Sequence, residues 1–501
     1  MKIRYVLVMC GLLGLASCVK DDSTGATGAI SEILIDEGSV KELYDIDKNE
    51  VLTITPQCKQ TNGQKALSYT WEIDQKVYSH EPQFVYKGER LGTYLCRLIV
   101  ENEDGKTFFP FKLNVNSPYE EGITVLSHDA QGKSMLSFML KQRVPGVEDH
   151  FEDGDCFTVN NPDILFADSV TDMVQCDGNL IVSCKGNNHL QVPATIYYLN
   201  EKTFMVQNEI RVPEYANFNP IRLGIPADGY VGTAYPILSE DGKIYEFSIS
   251  ESALVPSTRL TSNYAPACGI YSTSSTNFTL LFWDNTRHAF CQLTNGYGPY
   301  YCSKTYNMKN DNFDASKNYF NGKDFVAMFM PRLLSDASTT EEPTVVVIVK
   351  NSSSAMYQKV ELNATFWKYN ADQGENVLVD NGGLKMCGFA APKLKATSPL
   401  VASKLYKVLF FGDGNTVYKW FYTSNQMLDK SEEYCKVGSA QAIIGSMELS
   451  QDQKELFVAF HEPAESGLNG HVWVYDTQNG ALLRKYDNVC YQPVKIMYKK
   501  K

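Results

Sequence analysis

Few residues in this chain stand at spacings that imply chemistry. Cys18 closes Leu15-Ala16-Ser17-Cys18, a thiol behind small residues at the end of an apolar run. Carboxylates concentrate in Val147-Glu148-Asp149-His150-Phe151-Glu152-Asp153-Gly154-Asp155. Their oxygens suit Ca²⁺, but Phe151 stands where an EF-hand loop needs a ligand, so a solvated loop is expected and no metal site. Asn295-Gly296-Tyr297-Gly298-Pro299-Tyr300-Tyr301 sets three tyrosines on a turn-rich segment. Tyrosine faces stack on sugars and their hydroxyls hydrogen-bond, so Tyr297, Tyr300 and Tyr301 are candidate ligand contacts; packing on a rim is the competing use of the same residues. Nucleophile elbows, His-Glu-x-x-His helices and phosphate-cradling glycine loops do not occur, and the seven histidines are dispersed. No catalytic residue and no cofactor are therefore expected, and the chain reads as a non-enzyme. A hydrolase or lyase that draws single residues from several repeats leaves no linear motif, so that reading stays as the alternative.

Cys18 owes its meaning to what precedes it. Lys2 and Arg4 form a basic start, and residues 5–14 are mostly apolar. Ten residues rise about 15 Å as a helix, half the hydrocarbon thickness, so residues 1–17 read as a signal peptide and not as a span. Leu-Ala-Ser-Cys resembles a lipobox, which implies diacylglycerol on the Cys18 thiol and an anchor of several acyl chains at roughly 0.8 kcal/mol per buried methylene. Val19-Lys20-Asp21-Asp22-Ser23 follows. Lys20, Asp21 and Asp22 resemble the export signal that sends lipoproteins of the Bacteroidota to the outer face of the outer membrane. Residues 18–28, rich in Asp, Ser, Thr and Gly, read as a lipidated flexible tether.

The 501 residues exceed one ordinary core, so at least two domains are expected. The net charge of −12 becomes two units more negative when Lys2 and Arg4 leave with the leader, which argues against nucleic-acid binding. Of thirteen cysteines, eleven remain after Cys10 and Cys18 are set aside; an odd number cannot all pair internally, and no C-x-x-C occurs. Most read as small buried apolar residues.

The elements that must carry these residues are strands. Residues 51–55, 69–73 and 92–100 alternate, with Tyr94, Cys96, Leu98 and Val100 on one face, and 107–115 follows a Glu103-Asp104-Gly105 turn. Residues 29–116 thus read as an immunoglobulin-like β-sandwich. Cys58, Trp71 and Cys96 fall in the order of an immunoglobulin core, which leaves open a Cys58–Cys96 disulfide or two separate thiols; Pro56 places Cys58 in a loop. Ser117-Pro118 interrupts the pattern. From 122 to 501 a weak repeat follows. Apolar runs at 123–126, 180–182, 230–234, 279–283, 345–349, 408–411 and 456–460 each precede a second strand marked by Leu136, Tyr197, Tyr245, Phe290, Tyr357, Tyr418 or Trp473. These markers lie 45 to 67 residues apart. The overall class is all-β, and the repeat predicts a seven-bladed β-propeller whose blades stack because a four-stranded sheet cannot bury both faces alone. Residues 494–498 form a last strand with no unit of its own, suited to completing the first blade.

Tyr69-Thr70-Trp71, the 92–100 strand and Glu103-Asp104-Gly105 resemble a PKD-like domain. Gly122-Ile123-Thr124-Val125-Leu126-Ser127 with Gly132-Lys133-Ser134-Met135-Leu136-Ser137-Phe138 resembles the stretch that follows it in the PKD-like family lipoproteins of Bacteroidota. The resemblance implies a surface-exposed outer-membrane lipoprotein that binds or scaffolds beside a SusC/SusD-type pair, a TonB-dependent transporter with its SusD-type lipoprotein. It implies a glycan or peptide ligand, or a purely structural role in the transporter complex, and it supplies no catalytic residues. The lipobox leads to an expected outcome: Cys18→Ser removes acyl labelling and releases the protein from the membrane fraction. Unchanged retention together with an unlabelled parent would refute the lipid anchor.

Overall fold

The computed structural model describes residues 30–500 except 143–145, 153, 177, 188–191, 216, 225–234, 249–252, 275–276, 295–296, 303–307, 330–343, 355–356, 364–366, 371–374, 379–385, 390–392 and 424–431. Only the backbone is described at 235, 248, 265–274, 277–280, 292–294, 297–298, 344, 361–363, 367–370, 375–378 and 386–389. Cys18, Lys20, Asp21 and Asp22 lie outside the described residues. The described secondary structure is nearly all strand, with one short α-helix at Cys156–Asn160 and one 3-10 turn at Asn310–Asn312. No described helix is long and apolar enough to cross a membrane. The chain divides into two compact units, Met1–Ser117 and Pro118–Lys501.

In the first unit a five-stranded sheet runs in the order Leu43–Asp47, Gly105–Asn116, Gly92–Asn102, Ser68–Ile73, Lys76–Ser79. Two short ladders accompany it, Ile33–Ile35 with Cys58–Gln60 and Val51–Ile54 with Phe84–Lys87. Along Gly92–Asn102 the sequence alternation becomes burial: Cys96, Leu98 and Val100 are buried while Leu95, Arg97 and Glu101 are exposed. Fully buried Trp71 packs against Phe84 and Phe111, and one core unites side chains from all three sheets. Cys58 is not in a loop. The strand before it stops at Ile54, ahead of Pro56, and Cys58 then pairs with Ile35 in a new ladder. Cys58 and Cys96 are separate thiols.

The second unit is propeller-like. Its first sheet contains Gly122–His128, Ser134–Leu140 and His150–Phe151, and its remaining strand is Gln492–Lys499 from the far end of the chain. Six further antiparallel sheets of four or five strands follow among the described residues, beginning with Val170–Cys176, Pro220–Leu223, Tyr264–Ser274, Lys323–Phe329, Leu400–Ser403 and Ile443–Leu449, together with a two-stranded ladder of Trp367–Asn370 with Glu375–Leu378. The predicted strand pairs are the central hairpins of these sheets: Asn179–Cys184 with Thr195–Asn200, for example, or Glu455–His461 with Gly470–Asp476. The apolar run expected at 230–234 lies outside the described residues; the hairpin strand there is Tyr235–Ser239.

The central strands are apolar throughout because both faces are buried. Val345, Val347 and Val349 pack toward the fourth sheet, and Val346 and Ile348 toward the sixth. The same division recurs at each step and ends with Phe457 and Ala459 of the last sheet packing on Ile123 and Val125 of the first. The initial strands of successive sheets also neighbour one another, and Ile443–Leu449 neighbours Gln492–Lys499. We call these the inner strands.

Gln492–Lys499 pairs with all of Gly122–His128. Its Ile496 and Tyr498 enter the core shared with the last sheet, while Val494 and Met497 pack on the core shared with the second. Lys500 exchanges two hydrogen bonds with the Gln175 amide, at 2.9 and 3.0 Å. Lys499 Nζ donates to the Glu120 carbonyl at 2.7 Å, and burial pushes its pKa down to about 8. Gly445 is required at this junction: a Cβ there would sit inside the van der Waals envelope of the Pro493 carbonyl. Deleting 494–501 forfeits two buried side chains worth about 1.5–3 kcal/mol each and exposes a sheet edge. Calorimetry should show the second unit losing its cooperative transition while the first keeps its own, with Gly445→Ala giving a milder loss of about 1–3 kcal/mol. A truncated protein that melts like the parent would disprove closure by this strand.

Candidate functional site

Five of the inner strands share a defect. In each, one extra residue interrupts the ladder near the start: Thr171, Ile221, Val326, Gly445 and Val494 have no register partner. A bulge turns the residue that follows it out of the plain alternation of the strand. The residues after these bulges are Asp172, Arg222, Ala327, Ser446 and Lys495. Three charged side chains on three consecutive inner strands are thereby brought together.

Asp172 is the centre of the group, with its side chain only 4% exposed. Its Oδ1 accepts from the Met173 N–H and its Oδ2 from the Leu223 N–H on the next sheet, both at 3.0 Å. Lys495 Nζ lies 3.5 Å and Arg222 NH1 3.9 Å from Oδ1. Both cations are about one-third exposed, at 33% and 37%. The carboxylate is held in place by backbone donors; the cations keep most of their donors.

The residues singled out in the sequence do not gather here. Tyr300 and Tyr301 are buried, so their rings present no face to a ligand. The Tyr301 hydroxyl donates to buried Asp284 at 2.9 Å and accepts from Arg287. Tyr300 and Tyr301 are therefore core residues of the strand Tyr297–Tyr301, and the side chain of Tyr297 lies outside the described residues. In the acidic stretch, Asp155 caps Cys156–Asn160 by accepting from Phe157 and Thr158, and Asp149 accepts from the Gln142 N–H. Among the described residues no group of three or more His, Cys, Asp or Glu is arranged for a metal ion. Of the nine cysteines whose side chains are described, seven are buried, and burial raises the thiol pKa of Cys96, Cys156 and Cys302 to about 12.

A second polar group holds the last sheet together. Buried His471 lies between Glu465 at 3.3 Å and Asp487 at 3.0 Å, and Trp473 Nε1 donates to the same Asp487 oxygen. Trp473 is half-buried under Lys485, whose Nζ sits 3.9 Å from the ring centroid. Nearby His461 has its pKa lowered by burial. These contacts tie a loop to two strands of the last sheet.

No protein-family model matches the chain, and no curated protein does. Solved structures do. A quinoprotein alcohol dehydrogenase-like protein from Bacteroides thetaiotaomicron aligns at 16% identity over 94% of this chain and 100% of that one, with a TM-score of 0.42. A putative 6-phosphogluconolactonase from Bacteroides fragilis aligns at 12% over 76% and 98%, TM-score 0.39. A hypothetical selenium-binding protein from Sulfolobus tokodaii aligns at 11% over 76% and 94%, TM-score 0.41. At such identities these names describe those proteins alone.

Asp172→Ala leaves two backbone N–H groups without an acceptor. It should destabilise the second unit by about 2–4 kcal/mol, most of it from those donors because the exposed cations are screened. Asp172→Asn, which keeps one acceptor oxygen, should cost roughly half as much. Denaturant titration checks both, and an Ala variant within error of the parent would show that the carboxylate is not a fixed part of the scaffold.

Proposed function

We propose that this chain is a surface-exposed outer-membrane lipoprotein that binds or scaffolds for a SusC/SusD-type uptake system. In this reading Cys18 carries the lipid, Lys20, Asp21 and Asp22 direct export, and residues 18–28 give reach. The chain then carries a PKD-type β-sandwich at 29–116 and a seven-bladed propeller closed by Gln492–Lys499. The cyclic succession of cores and inner strands in the second unit supports the blade count. The facing of the five-stranded sheet by two short ladders around Trp71 supports the sandwich.

The observation that carries binding over catalysis is Asp172. Each of its oxygens accepts a backbone N–H, which fixes the carboxylate within the frame and leaves it attracting the two cations beside it. What the cluster offers is two partly exposed cations on a rigid frame, which is a recognition surface. A lipid anchor confines the protein to the membrane plane, where weak contacts with an anchored neighbour are well populated.

Gently solubilised outer membranes should yield this protein together with a TonB-dependent transporter and its SusD-type lipoprotein. The purified protein should not turn over glycans or peptides. Recovery of no transporter component would remove the partnership. Cleavage of a polysaccharide or peptide that is abolished by one propeller carboxylate substitution would establish a hydrolase or lyase instead.

A further inference from the structure

We infer that Lys495 and Arg222 form a receptor for a carboxylate group on the ligand, an inference that rests on the binding function proposed above. Their distances to Asp172 Oδ1, 3.5 and 3.9 Å, exceed the ~2.7–2.9 Å of a charge-assisted hydrogen bond. Asp172 thus forms ion pairs with the two cations without a hydrogen bond to either. Its oxygens are turned to Met173 and Leu223, so the ammonium and guanidinium retain donors for something else.

Charge counting selects the class. Two cations around one carboxylate leave a surplus of one positive charge in a chain whose net charge is −12. The equivalent post-bulge positions on the fifth and seventh sheets are Ala327 and Ser446, which bring no competing charge. Ser446 Oγ is itself occupied, accepting from the Ile496 N–H at 3.0 Å. A monoanion neutralises the surplus; a carboxylate placed between Lys495 and Arg222 completes an alternating arrangement of two cations and two anions. The planar fork of Arg222 suits two parallel bonds to such a group, and Lys495 adds a point charge beside it. Because each member stands on a different inner strand, the spacing is fixed by the ring rather than by a loop. The ligand carboxylate belongs either to an acidic sugar or to an acidic amino acid.

Calorimetric titration of the intact lipoprotein in mild detergent, with trigalacturonate, triglutamate and neutral maltotriose as probes, tests this. At least one carboxylated probe should bind at least tenfold more tightly than maltotriose, and which one binds identifies the source of the carboxylate. Lys495→Met and Arg222→Met should each weaken binding tenfold or more at unchanged melting temperature, while Arg222→Lys retains part of it. Added salt should weaken the interaction. If a Met variant fails to fold, the parent's salt dependence and Arg222→Lys carry the test. Equal binding of maltotriose, or full binding by the folded Lys495→Met and Arg222→Met variants, overturns the receptor. So does failure of both carboxylated probes to bind the parent, and because transporter co-purification is read separately, that failure leaves the scaffolding role standing.

Discussion

The structure of the second unit depends on one strand pairing: Gln492–Lys499 against Gly122–His128. The other four- and five-stranded sheets in this unit are each made from one stretch of chain, the fifth with the Trp367–Asn370/Glu375–Leu378 ladder inserted before its last strand, but each has two apolar faces and can bury only what its neighbours cover. A row of such sheets ends in two bare faces. The C-terminal strand removes that problem by placing Ile496 and Tyr498 between the last sheet and the first, where Phe457, Ala459, Val472 and Val474 complete the packing. The gain is not local, because a face left uncovered at this seam would weaken each sheet behind it. The tight approach at Gly445 and the amide exchange between Gln175 and Lys500 show how closely the seam is fitted on both sides.

A frame of this kind creates a second requirement. Each inner strand has one edge in its own ladder and one edge turned toward neighbouring inner strands, and the N–H groups on that edge need acceptors. Side chains from adjacent inner strands supply some of them. Asp172 accepts from Leu223, Ser446 from Ile496 and Gln175 from Lys500. The bulges shift Asp172 and Ser446 into register for this, and the same shift carries Arg222 and Lys495 to the same region.

The legible part of the fold was the part with a strong periodic signal. Central hairpins such as Val408–Asp413 with Thr416–Phe421 are apolar runs followed by an aromatic strand, because burial on both faces leaves the sequence little freedom. Apart from Gln492–Lys499, the inner strands carry no such signal. Pro220–Leu223 is four residues long with an arginine in it, and Val170–Cys176 sets Asp172 among apolar residues at a break in alternation. The candidate cluster was therefore hidden: its members lie up to 323 positions apart, and only ring closure makes Lys495 and Asp172 neighbours. A charged residue three positions into Val170–Cys176 and Pro220–Leu223 was the available clue to Asp172 and Arg222. Tyr300 and Tyr301 misled for the converse reason, since tyrosine suits a ligand platform and a buried hydrogen-bonded core equally well.

Scaffold and site thus share atoms. In many proteins a binding residue can be exchanged without consequence for the fold, because it projects from a loop held elsewhere. Here Asp172 joins two sheets through Leu223 and at the same time fixes the field in which Lys495 and Arg222 sit. A mutation that removes the carboxylate frees the cations electrostatically and loosens the strands that position them, so affinity and stability must change together at this residue. At Lys495 and Arg222, whose heads are partly solvated and bear no backbone hydrogen bond of the ring, the two properties separate. That difference follows from which donors Asp172 uses, and it distinguishes a recognition surface built on this cluster from a set of charges that merely fills the space between strands.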